Sequence, residues 1–133
     1  MASLYHFFEA YQSLDLYGMD LARYSEKMRN LLRSWVSSMY AQYLHLQKKL
    51  ELHLLGNHYL ENLKAVMLGA LYFKEPGVYD DYKSRLREEL EEQILPDGMH
   101  YERSPMYHKI VLEDLMRAAR GVEKADRLFL RKN

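Results

Sequence analysis

The longest run without proline or glycine, from about Asp20 to Leu55, constrains the fold of this chain more than any other feature. Its apolar residues recur at spacings of three and four, which is the period of one face of a helix. The pattern predicts one very long helix, or two helices joined near Ser34 to Ser38. The apolar stripe consists of Leu21, Tyr24, Met28, Leu31, Leu32, Trp35, Met39, Tyr43, Leu46 and Leu50.

The rest of the chain repeats this period between a few breaks, and no segment alternates with the period of a strand. We therefore predict an all-α fold of antiparallel helical hairpins. At 133 residues, the chain is expected to form a single domain over residues 1–133. Further helices are predicted over about Leu4–Leu16, Asn57–Phe73, Val78–Leu95 and Met106–Ala119, with breaks at Gly18, Gly56, Pro76-Gly77, Pro96-Asp97-Gly98 and Gly121.

Charge and composition exclude several functional classes. Nineteen Lys and Arg residues balance nineteen Asp and Glu residues, so no net charge would attract nucleic acid or an anionic membrane surface. No stretch reaches the ~20 apolar residues that a membrane span needs. The absence of cysteine removes disulfides, thiolate nucleophiles and cysteine zinc sites. The start, "MASLYHFFEAYQ", lacks the pattern of a secretion signal.

Two polar clusters stand out, and the predicted path of the chain brings them together. Asn57 and His58 begin one helix, and the stretch "LPDGMHYERSPMYH" ends with Tyr107 and His108 at the start of another. Two helices of similar length joined by a tight turn return the chain to its starting level, so both clusters are expected at one rim. Individually, Asn57 fits a helix cap, both histidines fit surface positions, and Tyr107 fits a core anchor.

Other candidates carry a weaker signal. Glu102 and Arg103 fit contacts to a charged or hydroxylated ligand, and an ordinary surface ion pair explains them equally well. Asn62 and His100 are weaker candidates still. No metal site is predicted, because His53 and His58 are separated by a helix break and no carboxylates are grouped with them.

Two blocks, "LELHLLGNHYLENLKAVMLGALYF" and "EEQILPDGMHYERSPMYHKIVLEDLM", resemble the helical N-terminal region of the heparinase II/III-like polysaccharide lyases. The resemblance covers about Ser34 to Met116. It implies a partial (α/α) toroid, which complete members follow with a β-sandwich domain. It also implies β-elimination of a uronic-acid-containing polysaccharide, such as heparan sulfate or alginate, without a cofactor.

The resemblance implies roles for the polar clusters. Asn57 and His58 would face the uronate carboxylate and stabilise the enolate-like intermediate. Tyr107 would protonate the leaving oxygen, and would act as a base only where positive charge or donors stabilise its phenolate. His108 or Arg103 would provide that help, and Glu102 with Arg103 would contact the substrate.

Several alternatives remain open at this point. The chain is a segment of a lyase, active or inactive in isolation, or a non-catalytic helical module for scaffolding or self-association. Because a partial toroid leaves apolar faces without their neighbours, we expect a homo-oligomer. The resemblance implies a periplasmic location, whereas the chain without a signal peptide suggests a cytoplasmic one. The sequence does not select the polysaccharide.

Overall fold

The computed structural model describes residues 21–50 and 57–130, with side chains for residues 22–50 and 57–122. A short 3-10 helix, Leu21–Arg23, precedes four α-helices. The prediction of an all-α fold is confirmed: the described ranges contain no strand, only one isolated antiparallel bridge between Ile94 and His100. The helix predicted over Leu4–Leu16 lies outside these ranges. The α-helices are α1 (Glu26–Lys48), α2 (Asn57–Phe73), α3 (Pro76–Gln93) and α4 (Pro105–Leu130).

Local sequence explains where the helices begin and end. Ser25 caps α1 through its hydroxyl, which accepts a hydrogen bond from the Met28 N–H at 3.3 Å. After α2, Lys74 adopts a left-handed conformation with φ 60°, and the Glu75 N–H donates back to the Ala70 carbonyl at 2.8 Å. This arrangement is a Schellman-type ending with lysine where glycine is usual. Pro76 then occupies the first turn of α3, where its missing N–H costs nothing.

Helix α2 forms the centre of the molecule. Every residue from 62 to 70 is buried, because α2 packs against each of the other three α-helices. A helix with this environment buries polar side chains along with apolar ones. The buried apolar core is Met39, Tyr43, Leu46, Leu60, Leu63, Ala65, Val66, Met67, Leu68, Ala70, Tyr72, Tyr82, Leu86 and Val111.

Only the C-terminal half of α1 packs into this core. Tyr43 is fully buried and donates its hydroxyl to Glu75 at 2.8 Å, and its ring lies 5.2 Å from that of Phe73. The predicted apolar stripe continues into the N-terminal half of α1, where most of its residues are exposed and Leu32 is half-buried. Those exposed residues are Met28, Leu31 and Trp35, preceded by Tyr24.

Helix α4 packs on α2 through Val111, which is 1% exposed. The prediction that Gly121 interrupts this helix is wrong, because α4 continues to Leu130. A single glycine inside a helix costs only about 1 kcal/mol, and Gly121 is buried, so packing offsets that cost. Among the described helices, none is long and apolar enough to cross a membrane.

Candidate functional site

The path of the chain brings the starts of α2 and α4 to the same end of the bundle. Helices α2 and α3 are joined only by Lys74 and Glu75, so α3 returns to the level at which α2 begins. The following loop folds back onto α3, since the Tyr101 N–H donates to the Gln93 carbonyl at 2.8 Å. Helix α4 begins shortly afterwards at Pro105. The hairpin path predicted from the sequence is therefore confirmed.

A buried hydrogen-bond network holds this loop. His100 is fully buried, and its Nε2 lies 2.8 Å from the Gln93 Oε1. The Gln93 Nε2 donates to Glu89 at 2.7 Å, and the Glu102 N–H donates to the His100 Nδ1 at 3.4 Å. The His100 Nδ1 is an acceptor in this network, which assigns the ring proton to Nε2. Both ring nitrogens of His100 are used inside the protein, so the residue holds the loop.

The turn that carries Glu102 and Arg103 is tightly formed. Gly98 has φ 84°, a conformation that glycine adopts without steric cost, and the Asp97 carboxylate accepts the Met99 N–H at 3.0 Å. Arg103 also has a positive φ, 52°, which is uncommon for a residue with a side chain. Glu102 and Arg103 are both exposed, and their side chains make no ion pair with each other among the described residues.

A buried ion cluster sets the register between α2 and α4. Lys64 is fully buried, and its Nζ lies 2.6 Å from Glu61 and 3.2 Å from Asp114. Asn57 lies about two helical turns before Lys64, and Tyr107 lies about two turns before Asp114. Two turns return a side chain to nearly the same face. The register therefore favours the convergence of Asn57 with Tyr107, which stays a prediction.

The same cluster perturbs a carboxyl group. Burial raises the pKa of Glu61 above its usual 4.5, the nearby Asp114 raises it further, and Lys64 acts in the opposite direction. The Arg117 guanidinium lies 3.7 Å from Asp114. The two carboxyls and the two cations balance formally, so the cluster can be buried without a large net charge.

The sequence-predicted residues differ in exposure. Asn57, the first residue of α2, and His108, in the first turn of α4, are half-buried. His58 is exposed, and Tyr107 is 38% exposed. The two exposed residues, His58 and Tyr107, are accessible to a ligand at the surface.

Unpartnered polar atoms concentrate in the early turns of α2 and α4. Within the described ranges, the buried side-chain atoms without a hydrogen-bond partner belong to Gln47, Asn57, Asn62 and His108. Three of these four residues are at the shared end of the bundle, and Gln47 is on α1. The Asn57 Oδ1 accepts no hydrogen bond, so the reading of Asn57 as a side-chain cap is wrong. Buried polar atoms are nearly always bonded, so these atoms remain available for a hydrogen bond to a ligand or to ordered water.

Sequence reasoning missed or undervalued the buried charged and amide residues. Asn62 was a weak candidate, yet it is 1% exposed, and Lys64 was not singled out at all. Both lie in "LENLKAV", where polar and charged residues between apolar ones are usually interpreted as exposed positions. The apolar residues that flank Asn62 and Lys64 in the sequence could have predicted their burial, because they cover most of the α2 surface around these two positions.

No group of three or more possible metal ligands occurs in the part of the chain that the structure describes. Tyr101, on the loop, is the second accessible phenol of this region and is 40% exposed. Partial burial, and then Glu102, Glu89 and Glu92, raise the pKa of Tyr101. Tyr101 is therefore poorly suited to act as a base.

These observations define an all-α domain of helical hairpins with a polar site at one end. A family model described as "Heparinase II/III N-terminus" matches residues 22–129. The chain belongs to this family, and is a segment related to polysaccharide lyases. Among curated proteins and among solved structures, no significant match was found.

Proposed function

We propose that this chain is the helical part of a lyase that cleaves a uronic-acid-containing polysaccharide by β-elimination. The shared end of α2 and α4 would contact the uronate. The observation that carries the proposal is the pair of buried, unpartnered atoms Asn57 Oδ1 and His108 Nδ1. The sequence predicts both residues for the same site.

The chemistry explains why such residues are needed. Removal of the proton at C5 places negative charge beside a carboxylate that is already negative. Hydrogen bonds from the Asn57 Nδ2 and the His58 imidazole to that carboxylate would spread the charge of the enolate-like intermediate. The proton removed from C5 passes to the Tyr107 oxygen, the C4–O bond breaks, a C4–C5 double bond forms, and Tyr107 returns the proton to the leaving oxygen.

Tyr107 is the residue we assign to that proton transfer. Its ring is 38% exposed, so its hydroxyl can reach a bound saccharide. A phenol in hydrogen-bond reach of the leaving oxygen donates its proton directly. His108 is next to it in the first turn of α4. Arg103 and Glu102, exposed on the preceding turn, would contact neighbouring sugars, with Arg103 suited to carboxylate or sulfate.

Turnover and binding are tested separately. The chain is incubated with heparan sulfate, heparin or alginate, and the ultraviolet absorbance of the unsaturated product is followed. Binding is followed by NMR shifts of the backbone amides of residues 57 and 107. We expect Tyr107→Phe to abolish elimination and to leave binding in place. Tyr101→Phe is the matched control, since the two tyrosines are similarly exposed. Absence of both product and shifts would refute the proposal.

A second candidate function, a non-catalytic self-association module, is favoured by α1. Exposed Met28, Leu31 and Trp35, with Tyr24 before them, follow the spacing of four, three and four that coiled coils use. We propose a homo-oligomer in which this stripe of one copy covers that of another. Leu31→Glu should dissociate the oligomer in light scattering, whereas Lys27→Glu should not. A monomeric wild-type chain would contradict it.

A further inference from the structure

Asn62 is exceptional among the buried polar residues. Among the side chains that the structure describes, four polar or charged ones are at most 2% exposed, namely those of Asn62, Lys64, Gln93 and His100. Lys64 is paired with two carboxylates, and Gln93 and His100 bond to each other. Neither the Nδ2 nor the Oδ1 of Asn62 has a partner among the described residues.

The position of Asn62 links it to the proposed saccharide site. It follows His58 by one helical turn, so the two side chains project from the same face of α2. His58 is exposed and Asn62 is 1% exposed. Asn62 is therefore the deeper residue beneath the imidazole that we assign to the uronate.

We propose that Asn62 is a specificity-determining residue that binds a hydroxyl group of the saccharide and so favours an unsulfated uronate-containing chain. The inference rests on the proposed function of the same end of the bundle. It adds a residue to the site and a chemical class to the substrate.

Hydrogen-bond chemistry selects the hydroxyl group. The amide of Asn62 has an unpaired donor and an unpaired acceptor, and a hydroxyl group also donates and accepts. A sulfate or carboxylate only accepts, so it would satisfy Nδ2 and leave Oδ1 beside negative charge. The unpartnered Oδ1 of Asn57 is a second acceptor in need of a donor. The hydroxyl group contacts Asn62 directly or through one ordered water.

The test compares two buried amides that differ in their partners. Asn62→Leu and Gln93→Met each replace an amide by an apolar group of similar shape. Urea midpoints give stability, and titration calorimetry gives affinity for heparosan and heparin oligosaccharides of equal length. Heparosan is unsulfated, and heparin is heavily sulfated.

We expect Asn62→Leu to keep or raise the urea midpoint, because it removes an unsatisfied amide, and to weaken heparosan binding by about tenfold. Heparin affinity should change less. Gln93→Met should lower the midpoint, because it leaves His100 unpaired. Opposite effects on stability and affinity distinguish a ligand contact from a residue that serves the fold alone.

Four outcomes overturn the proposal. A lower midpoint with unchanged heparosan affinity in Asn62→Leu would show that the amide holds an internal water only. An equal loss of heparin and heparosan affinity would remove the selectivity for a hydroxyl group. If the wild type binds neither saccharide, the proposed function fails as well. If it binds both and Asn62→Leu has no effect, this inference alone fails.

A measurement on the wild type covers the case in which Asn62→Leu does not fold. The side-chain NH₂ resonances of Asn62, assigned by triple-resonance NMR, should shift when heparosan oligosaccharide is added. Those of Gln93, whose Nε2 already donates to Glu89, should stay in place. Unshifted Asn62 resonances in a saccharide-bound sample would overturn the proposal.

Discussion

Gln93 and Asn62 are both buried side-chain amides, at 2% and 1% exposure, and both belong to the α2–α3 hairpin. At the end of α3, Gln93 is bonded to His100 and Glu89. In α2, Asn62 has no partner among the described residues, and Asn57 and His108 each have an unpartnered buried atom nearby in the fold. The polar groups of the first region hold a loop, and those of the second have no partner among the described residues, which is why we propose that they bind a ligand.

The comparison of Gln93 with Asn62 shows that the burial of a polar side chain does not reveal whether its atoms are bonded within the protein. An unpaired buried amide costs about 1–3 kcal/mol, so a region that keeps several must be compensated elsewhere in the fold. In this fold, the hydrogen bonds of the loop network and the buried pairing of Lys64 with Glu61 and Asp114 offset that cost. Substitutions in the satisfied groups should reduce stability, and those in the unsatisfied groups should reduce binding.

The largest effect on stability is expected at Lys64. Lys64→Met removes the buried ammonium and leaves Glu61 and Asp114 facing each other, so the free energy of unfolding should fall by about 3 kcal/mol. Urea unfolding followed by circular dichroism measures it. Lys109→Met is the control, since Lys109 is exposed and its contact with Glu113 is 3.6 Å long. Similar losses in both variants would contradict the argument.

A smaller loss is expected at His100. His100→Leu leaves the Gln93 Oε1 and the Glu102 N–H without their partners, which should lower the free energy of unfolding by about 2 kcal/mol. Hydrogen exchange at Tyr101, whose N–H bonds to Gln93, should accelerate as the loop loosens. If His100→Leu is as stable as the wild type, the contrast between the two regions disappears.

Much of the fold was predictable because its breaks are chemically explicit. Gly56, Pro76-Gly77 and Pro96-Asp97-Gly98 separate segments of uniform helical period, and α2, α3 and α4 begin at or after these three breaks in turn. The break predicted at Gly121 is wrong, because the free energy that one glycine costs a helix is small compared with the gain from burying one face of α4. The sequence also predicted one continuous stripe on α1, but it did not reveal that α2 covers only the C-terminal half of that stripe.

The site was predictable only in part. Asn57, His58, Tyr107 and His108 were selected because their chemistry is unusual at helix starts, and their assignment stays a prediction. The sequence gives Asn62 little weight, because the lack of hydrogen-bond partners that distinguishes it from Gln93 is visible only in the folded structure. A sequence states which side chains can form hydrogen bonds, but packing decides which of them remain unbonded.

The ion cluster gives a smaller, pH-dependent effect. The pKa of Glu61 is raised above 4.5 in the folded chain, so the folded state binds the proton more tightly than the unfolded state. This contribution to stability is present below about pH 4.5 and is lost as pH rises through the folded pKa. It should stay below about 1 kcal/mol, because the Glu61 side chain is 25% exposed.

Urea midpoints measured across that pH range test the prediction, with Glu61→Gln as the comparison. The glutamine variant cannot titrate, so the part of the wild-type slope that comes from Glu61 should be missing from its profile. Because the slopes of the other carboxyls and the histidines are shared, the difference between the two profiles isolates Glu61. If the wild-type midpoint instead rises with pH relative to that of Glu61→Gln, the effect of Lys64, which lowers the pKa of Glu61, outweighs the effects of burial and Asp114.

The smallest effect on stability is expected at His108. His108→Leu removes a ring whose buried Nδ1 has no partner in the described ranges, so stability should change by less than about 0.5 kcal/mol. Affinity for a uronate oligosaccharide should nevertheless fall, as calorimetry would measure. His100→Leu is the opposite case, because there a bonded ring is removed from the fold. If His108→Leu is destabilised as much as His100→Leu and still binds saccharide, His108 serves packing, and the shared end of α2 and α4 loses one of its two supporting residues.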